Sequence, residues 1–384
     1  MTLPVNLALA TRLGTSQTLA WASSYYLPAI LAAPMASEFG VSSSWVFAAF
    51  SAALVISAIL GPFVGRRIDS VGGRGMLVAS NLVLATGLVL MALAQGMITL
   101  YLAWIVTGIG MAMGLYDAAF ATLGRLLGRR ARASITGVTL IAGFASTIGW
   151  PLSTWLEAEF GWRGACLAWA GLHLALGLPL NGWLPKASAI EQLESSDAES
   201  PPIPKRPRLA MALLAYVFAA GWFVSTAMAA HLPGLLQESG VSLSVAVAAA
   251  ALVGPAQVAA RLGEFALLRH FHPLLSARLA TLLHPLGAVF FSLFGMPAAG
   301  FALLHGAGNG MMTIASGTLP LTLFGPRGFG RRQGLIIAPA RLAQAGAPLA
   351  FGLLLESNGT GALWLTSGLM LGACLALLVI RRPT

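Results

Sequence analysis

Long apolar runs separated by short polar connections set the pattern of this chain. A helix that crosses a bilayer needs about 20 apolar residues at about 1.5 Å of rise each. Twelve runs meet that requirement, over residues 9–35, 45–64, 76–94, 99–123, 135–156, 164–184, 210–235, 243–265, 274–294, 298–319, 335–355 and 362–380. One connection is longer than the rest. Between 185 and 208, Glu191, Glu194, Asp197 and Glu199 precede the run PPIPKRPR, a polar, Pro-rich linker. The pattern predicts an all-α membrane protein of twelve transmembrane helices. Its domains are a six-helix bundle over 1–184, a cytoplasmic linker over 185–208 and a second six-helix bundle over 209–384.

Composition agrees with that pattern. Of 384 residues, 57% are hydrophobic and only 9% are charged, against about 25% charged in a soluble domain. Mean hydropathy is +0.82. Soluble, fibrous, disordered and disulfide-stapled classes are excluded. The two cysteines, Cys166 and Cys374, both lie inside apolar runs, which argues against a disulfide framework or a CxxC metal site.

The net charge of +10 in a soluble protein would suggest nucleic-acid binding. Here its distribution gives another meaning. Apart from Arg163, and from Arg261 and Arg341 inside spans, the basic residues fall at Arg12 or within 66–74, 125–132, 186–208, 269–278, 327–332 and 381–382. These are alternate connections and chain ends, so the positive-inside rule puts both termini and the linker in the cytoplasm. A multi-pass protein of the plasma membrane, a bacterial inner membrane, is expected. The N-terminal sequence MTLPVNLALATRLG lacks the basic region and cleavage pattern of a removable signal peptide, so the first hydrophobic helix is expected to be retained.

The two halves repeat at an offset near 200 residues. Gly40-Val41-Ser42 recurs as Gly240-Val241-Ser242, and Gly108-x-Gly110 as Gly306-x-Gly308. Gly128-Arg129-Arg130 recurs as Gly330-Arg331-Arg332, and Gly149-x-Pro151-Leu152 as Gly346-x-Pro348-Leu349. Four matches in order, at equivalent places, predict two pseudo-symmetric bundles. A repeat of this kind puts a solute cavity at its interface, near the bilayer midplane.

With these features the sequence resembles the major facilitator superfamily over essentially its whole length. The family signature between spans two and three reads Gly65-Arg66-Arg67-Ile68-Asp69-Ser70-Val71-Gly72-Gly73-Arg74, with Ser70 in place of the usual basic residue. Asp69 can accept hydrogen bonds at a helix end, and the glycines permit a tight turn. The resemblance implies a gating loop, with Gly65, Asp69, Gly72 and Arg74 latching the two halves in the outward-facing state. It also implies the major facilitator fold.

Two branches compete. Proton-driven drug antiporters carry an Arg in span four, where this chain has Trp104 ahead of Gly108-Ile109-Gly110. The C-terminal half instead resembles the monocarboxylate porter and oxalate:formate antiporter branch. Its Asp-x-x-x-Arg pattern in span eight is here Gln257-Val258-Ala259-Ala260-Arg261, which keeps the Arg and loses the Asp. The antiporter's cation in span eleven corresponds to Arg341. Arg261 lies eight residues inside Arg269, and Arg341 nine inside Arg332, so both are expected about 12–14 Å deep. Each costs several kcal/mol there unless paired or wet, and an anion shared by two bidentate guanidiniums would relieve both. Arg261 could equally snorkel to the cytoplasm or pair with Glu264 on the same face.

The remaining polar groups are weaker signals. Asp117, eight residues before Arg125, is an acid well inside the N-terminal half, fit for a proton carrier or for a static partner of Arg341 or Arg261. Tyr25 and Tyr26 in a polar span one could cap a substrate or anchor at the interface. Asn309, within Gly306-Ala307-Gly308-Asn309-Gly310, could line a cavity, the glycines serving packing. His173, His231, His284 and His305 lie in four different spans without ligand spacing and read as hydrogen-bonded helix contacts.

No HExxH, GxSxG or GxxxxGK motif is present, so neither an enzyme nor a nucleotide-driven pump is expected. The expected function is secondary transport of a small carboxylate-like anion by alternating access. Arg261, Arg341, Tyr25, Tyr26, Gln257 and Asn309 would bind substrate, and Asp117 and Glu264 would couple protons. Protons or a counter-substrate and the lipid bilayer are the other partners, in a monomer with no cofactor, metal or nucleic acid. The alternative is a proton-driven efflux pump for drugs or other toxic solutes.

Overall fold

The computed structural model describes residues 3–127, 131–185, 207–264, 273–324 and 329–380. Among these residues the chain is almost wholly helical, with no strand. It divides into two compact units, Met1–Ser195 and Ser196–Thr384.

The first unit starts with α1 (Leu3–Ala20), a π turn (Trp21–Tyr25) and α2 (Pro28–Phe39), followed by α3 (Ser43–Val71) and α4 (Arg74–Ala92). Then come α5 (Met97–Gly114), α6 (Tyr116–Leu127), α7 (Ala131–Ala142), α8 (Ala145–Leu172), a second π turn (His173–Gly177) and α9 (Leu178–Gly182). The second unit holds α10 (Pro207–Gln237), α11 (Leu243–Ala251), α12 (Val253–Gly263), α13 (Pro273–Phe294) and α14 (Ala298–Phe324). It ends with α15 (Phe329–Asn358), a 3-10 turn (Gly359–Gly361) and α16 (Ala362–Val379).

Among the described residues, eight stretches are long and apolar enough to cross a bilayer. Two of them, Gly137–Gly182 and Leu335–Val379, run to 46 and 45 residues, more than twice the ~20 a crossing needs. Each contains a break with a glycine at positive φ, Gly161 at 67° and Gly359 at 53°.

Several predicted spans are not continuous helices. Span one is interrupted by the π turn and restarts at Pro28, whose missing N–H suits a first helical position. Span four breaks at extended Leu115, and span eight at Leu252. Backbone groups freed in hydrocarbon must find partners nearby. They do: Ala119 N–H bonds Leu115 O at 3.1 Å, and Ala256 N–H bonds Leu252 O at 3.0 Å.

Close packing repeats between the units. A Cβ on Gly108 would lie 2.8 Å from Ala53 Cα of α3, and one on Gly306 would lie 2.9 Å from Val253 Cα of α12. Gly110 abuts Leu84 of α4, and Gly308 abuts Ala280 of α13. Glycine lets the helix backbones touch, which supplies the dispersion energy that holds helices together in lipid. The Gly149/Gly346 pair does not behave alike. Gly149 presses on Ala22, whereas Gly346 faces open space.

The outer faces are as apolar as the interiors. Ile59, Phe63, Leu102, Phe294, Leu371 and Leu375 are exposed, which fits hydrocarbon and not water. Inside, Ser and Thr hydroxyls return to their own helices, as Thr107 to Ala103 O and Thr226 to Trp222 O.

One charged cluster ties the end of α2 to α8. The Arg163 guanidinium pairs with Glu38, donates to Ala94 O at 2.6 Å, and lies 4.1 Å over the Trp162 ring centroid. Trp162 Nε1–H donates to the same Glu38 oxygen at 2.6 Å. The Arg163 bond, then the Trp162 bond, holds the Glu38 carboxyl below the usual glutamate range.

Candidate functional site

In the second unit, the break at Leu252 starts α12 with Gln257 and Arg261 one turn apart on one face. Both are buried, and Arg261 Nη2–H donates to Gln257 Oε1 at 3.4 Å. Helix α14 closes on this point. A Cβ on Gly310 would lie 2.6 Å from Gln257 O. Asn309 precedes that glycine, is half-buried, and its carbonyl accepts from Thr313 Oγ1 at 2.8 Å. The glycines around Asn309 are packing residues, as expected. Glu264 follows α12 directly and is half-buried.

Arg341 sits in α15 between Pro339 and Pro348. It is half-buried, and its Nη1–H donates to Gln344 Oε1 at 3.3 Å. Both arginines are thus held by a glutamine oxygen within one turn of their own helix. Helices α12 and α15 each pack on α14, so the cations flank the helix that carries Asn309. Arg269, and the side chain of Arg332, which mark the expected depth, lie outside the described residues.

In the first unit, Tyr25 is buried and Tyr26 half-buried, both beside the π turn. Tyr25 meets Phe50 edge-on at 5.8 Å, and Tyr26 meets Trp150 at 5.3 Å. Trp21 links Tyr25 to Tyr116 at 4.7 and 4.8 Å. The π turn, a frequent feature of functional sites, also aims Ser23 Oγ at His173 Nε2, 2.7 Å away, where the second π turn begins. His173 Nδ1 completes the link to Asn81 Oδ1 at 2.9 Å.

Asp117 departs from expectation. It is exposed rather than enclosed, because the break at Leu115 starts a new helix and puts Asp117 on its outer first turn. The signature between spans two and three is also less of a loop than expected. Gly65 and Asp69 belong to α3, which runs to Val71, and Arg74 already opens α4. Gly72 makes the turn at φ 88, and Gly73 packs against Thr122. Arg125 Nη2–H reaches Ser70 O at 3.5 Å. The side chain of Asp69 lies outside the described residues.

Residues 13–303 match the family model described as Major Facilitator Superfamily. The chain belongs to the major facilitator superfamily. Solved superfamily structures share its fold. The crystal structure of the nucleoside transporter NupG aligns over 98% of this chain and 100% of its own, with TM-score 0.76 at 12% identity. A bacterial homologue of the human lysosomal transporter Spinster, inward-facing and occupied, covers 97% of this chain and 93% of its own, with TM-score 0.68 at 15% identity.

Relatives by sequence include mouse monocarboxylate transporter 14, 33% identical over 162 residues, which is 41% of this chain and 30% of the relative. Rat monocarboxylate transporter 3 is 32% identical over 117 residues, 30% of this chain and 23% of the relative. The aligned part therefore spans less than a third of these relatives' length.

Two features of this superfamily member were not foreseen at the site. Gln344 had a signal in its i+3 spacing from Arg341. The meeting of His284 with His305 had none, because 21 residues and a connection separate them.

Proposed function

We propose that this chain is a secondary transporter for small organic anions of the carboxylate class. The reading that supports this rests on one observation: α12 and α15 each present an arginine whose guanidinium bonds a neutral glutamine oxygen. A guanidinium offers planar, charged donors that match a carboxylate in two parallel bonds. The names of the sequence relatives agree with that substrate class. Gln257 and Asn309 complete the polar set in the same unit; in the first unit, Tyr25 and Tyr26 are proposed by themselves as an aromatic surface for substrate.

The proposed architecture is twelve spans in two six-helix bundles, 1–184 and 209–384, joined by the linker 185–208. The two longest apolar stretches each divide at their glycine break, while α1–α2 and α14 supply the spans that the eight stretches omit. Both termini face the cytoplasm of the plasma membrane, and the protein works as a monomer. Transport is driven by protons or by exchange. Asp117, although exposed, and Glu264 are the proposed acidic proton carriers, and Gly65, Asp69, Gly72 and Arg74 the proposed gating element.

Binding to purified variants tests the anion reading. Monocarboxylates, dicarboxylates, oxyanions and cationic drugs are screened by heat-unfolding shifts. Arg261→Gln and Arg341→Gln should each weaken carboxylate binding by about 10- to 100-fold, the worth of one charge-assisted contact of roughly 1.5–3 kcal/mol. The Lys variants should lose less. If Arg341→Gln keeps its anion affinity, or if wild type binds only cationic or neutral drugs, the anion reading fails and efflux replaces it.

A further inference from the structure

Two histidines meet in the second unit. His284 of α13 and His305 of α14 approach Nδ1 to Nδ1 at 3.0 Å, and His284 Nε2 lies 2.9 Å from Thr366 Oγ1 of α16. All three side chains are buried, and the Phe301 ring lies against both imidazoles. The protons can be assigned from the partners. Thr366 gives its hydroxyl proton to Leu363 O at 2.9 Å, so its oxygen accepts from His284 Nε2–H. His284 Nδ1 is then an acceptor, and the proton between the rings belongs to His305 Nδ1. A neutral imidazole carries one N–H, so His305 Nε2 is left with the lone pair.

We infer that the His284–His305 pair is a proton-binding site of this transporter, loading one proton at His305 Nε2. The inference rests on the transport reading and adds the site to it. The proton count balances. An arriving proton bonds His305 Nε2, and the ring becomes an imidazolium whose Nδ1–H bond to His284 is charge-assisted. Passing the Nδ1 proton to His284 leaves His305 neutral as Nε2–H and makes His284 the imidazolium. Either way the pair gains one proton and one positive charge, shared across two rings.

Two observations favour a proton site over a purely structural contact. First, the fold closes the same helix crossing without histidine in the other unit. Gly108 and Gly110 pack α5 on α3 and α4 as Gly306 and Gly308 pack α14 on α12 and α13. The position before Gly108 is Thr107, bonded to its own helix, and α4 beyond Arg74 carries no ionisable residue.

Second, one helix of the pair, α14, packs on the arginine's helix. Gly306, next to His305, presses on Ala256 of α12, and Arg261 lies five residues on, about 7.5 Å of rise. A proton on the pair adds a second cation to the unit that carries Arg261, and a bound carboxylate offsets both. Proton and anion therefore favour each other's binding by the same factor.

Among the described residues, the buried and half-buried ionisable groups on helices packed against α13 and α14 are Arg261, His231, Arg341 and Cys374; Arg278 lies on α13 itself, and Glu264 follows α12. α11 contributes none. Arg278 is turned to Leu377 O and His231 to Pro348 O, so neither competes for the pair's nitrogens.

The experiment uses protein with ¹⁵N-labelled histidine in lipid nanodiscs. Imidazole nitrogen signals are followed from about pH 9 to pH 4, and transport of acetate and pyruvate is measured in proteoliposomes. Wild type should show His284 as the Nε2–H tautomer and His305 as the Nδ1–H tautomer, with both changing together as one proton loads. His305→Gln and the smaller His305→Asn should abolish that step. They should lower gradient-driven uptake by at least about tenfold, within the usual range of site–site coupling, while exchange at saturating carboxylate persists with a weakened apparent affinity.

Two results overturn the inference. One is a pair that stays neutral across the whole range. The other is gradient-driven uptake with an unchanged pH profile in a folded His305 variant. A wild type whose pair titrates but which binds neither acetate nor pyruvate leaves the proton site standing and defeats the anion reading instead.

Discussion

Gly72 and Gly73 decide how α3 turns into α4. Gly72 sits at φ 88 and ψ 159, a conformation nearly closed to other residues. Gly73 has a different constraint, since a Cβ there would lie 2.6 Å from Thr122 Cβ. Thr122 is buried and bonded to Ala118 O at 2.7 Å, so it cannot yield. Gly73→Ala should therefore lower stability by roughly 1–3 kcal/mol, the usual cost of overpacking. Thermal unfolding in detergent measures it. A second change, Thr122→Gly, should recover much of the loss relative to Thr122→Gly alone, because the two positions share one space. Additive losses would mean that the clash is not the cause. The glycines of this turn were legible in the sequence; the threonine they press on was not, since it comes from another helix.

At the scale of elements, the Glu38–Trp162–Arg163 cluster holds α2, α8 and the turn at Ala94 together with directed polar bonds in an otherwise apolar unit. Its pH dependence has a definite sign. The folded carboxyl of Glu38 is held below the usual glutamate range by Arg163 and Trp162. A depressed acid contributes stability that is present above its unfolded pKa and lost as pH falls through the folded one. Wild type should thus lose part of its thermal stability as pH drops below about 5, and Glu38→Gln should be less stable at pH 7 with a flatter acid limb. Identical acid limbs in the two proteins would remove Glu38 from this role. Arg163 stood out in the sequence as a basic residue on the wrong side. Its partner did not, because 125 positions separate the two.

At the scale of the whole molecule, the proposed twelve-span topology makes a prediction about sidedness. Single cysteines placed within 186–206 should react with a membrane-impermeant maleimide only from the cytoplasmic side of oriented vesicles. A cysteine replacing Glu159, beside Arg163, should react only from the opposite side. The background protein for this test lacks Cys166 and Cys374, both buried. Labelling of both positions from one side would break the span count, because an odd number of crossings must separate them.

Chain-local physics is what the sequence settled. Apolar runs of bilayer length forced helices, since only internally bonded backbone survives in hydrocarbon. The excess of arginine beside alternate runs set the expected orientation. The Gly-x-Gly repeats announced the close helix crossings that the structure displays at Ala53 and Val253. Arg261 with Gln257 was readable because the partners lie one helical turn apart.

Tertiary structure alone decided the rest. It moved Asp117 to an exposed first turn by breaking span four at Leu115. It gathered Tyr25, Tyr26, Phe50 and Trp150 into one aromatic cluster, and set His284 on His305. The reason is physical. A membrane helix is uniformly apolar, so its composition fixes that it spans but not which face meets which neighbour. That choice falls to a few glycines and buried polar atoms, whose partners lie on other helices.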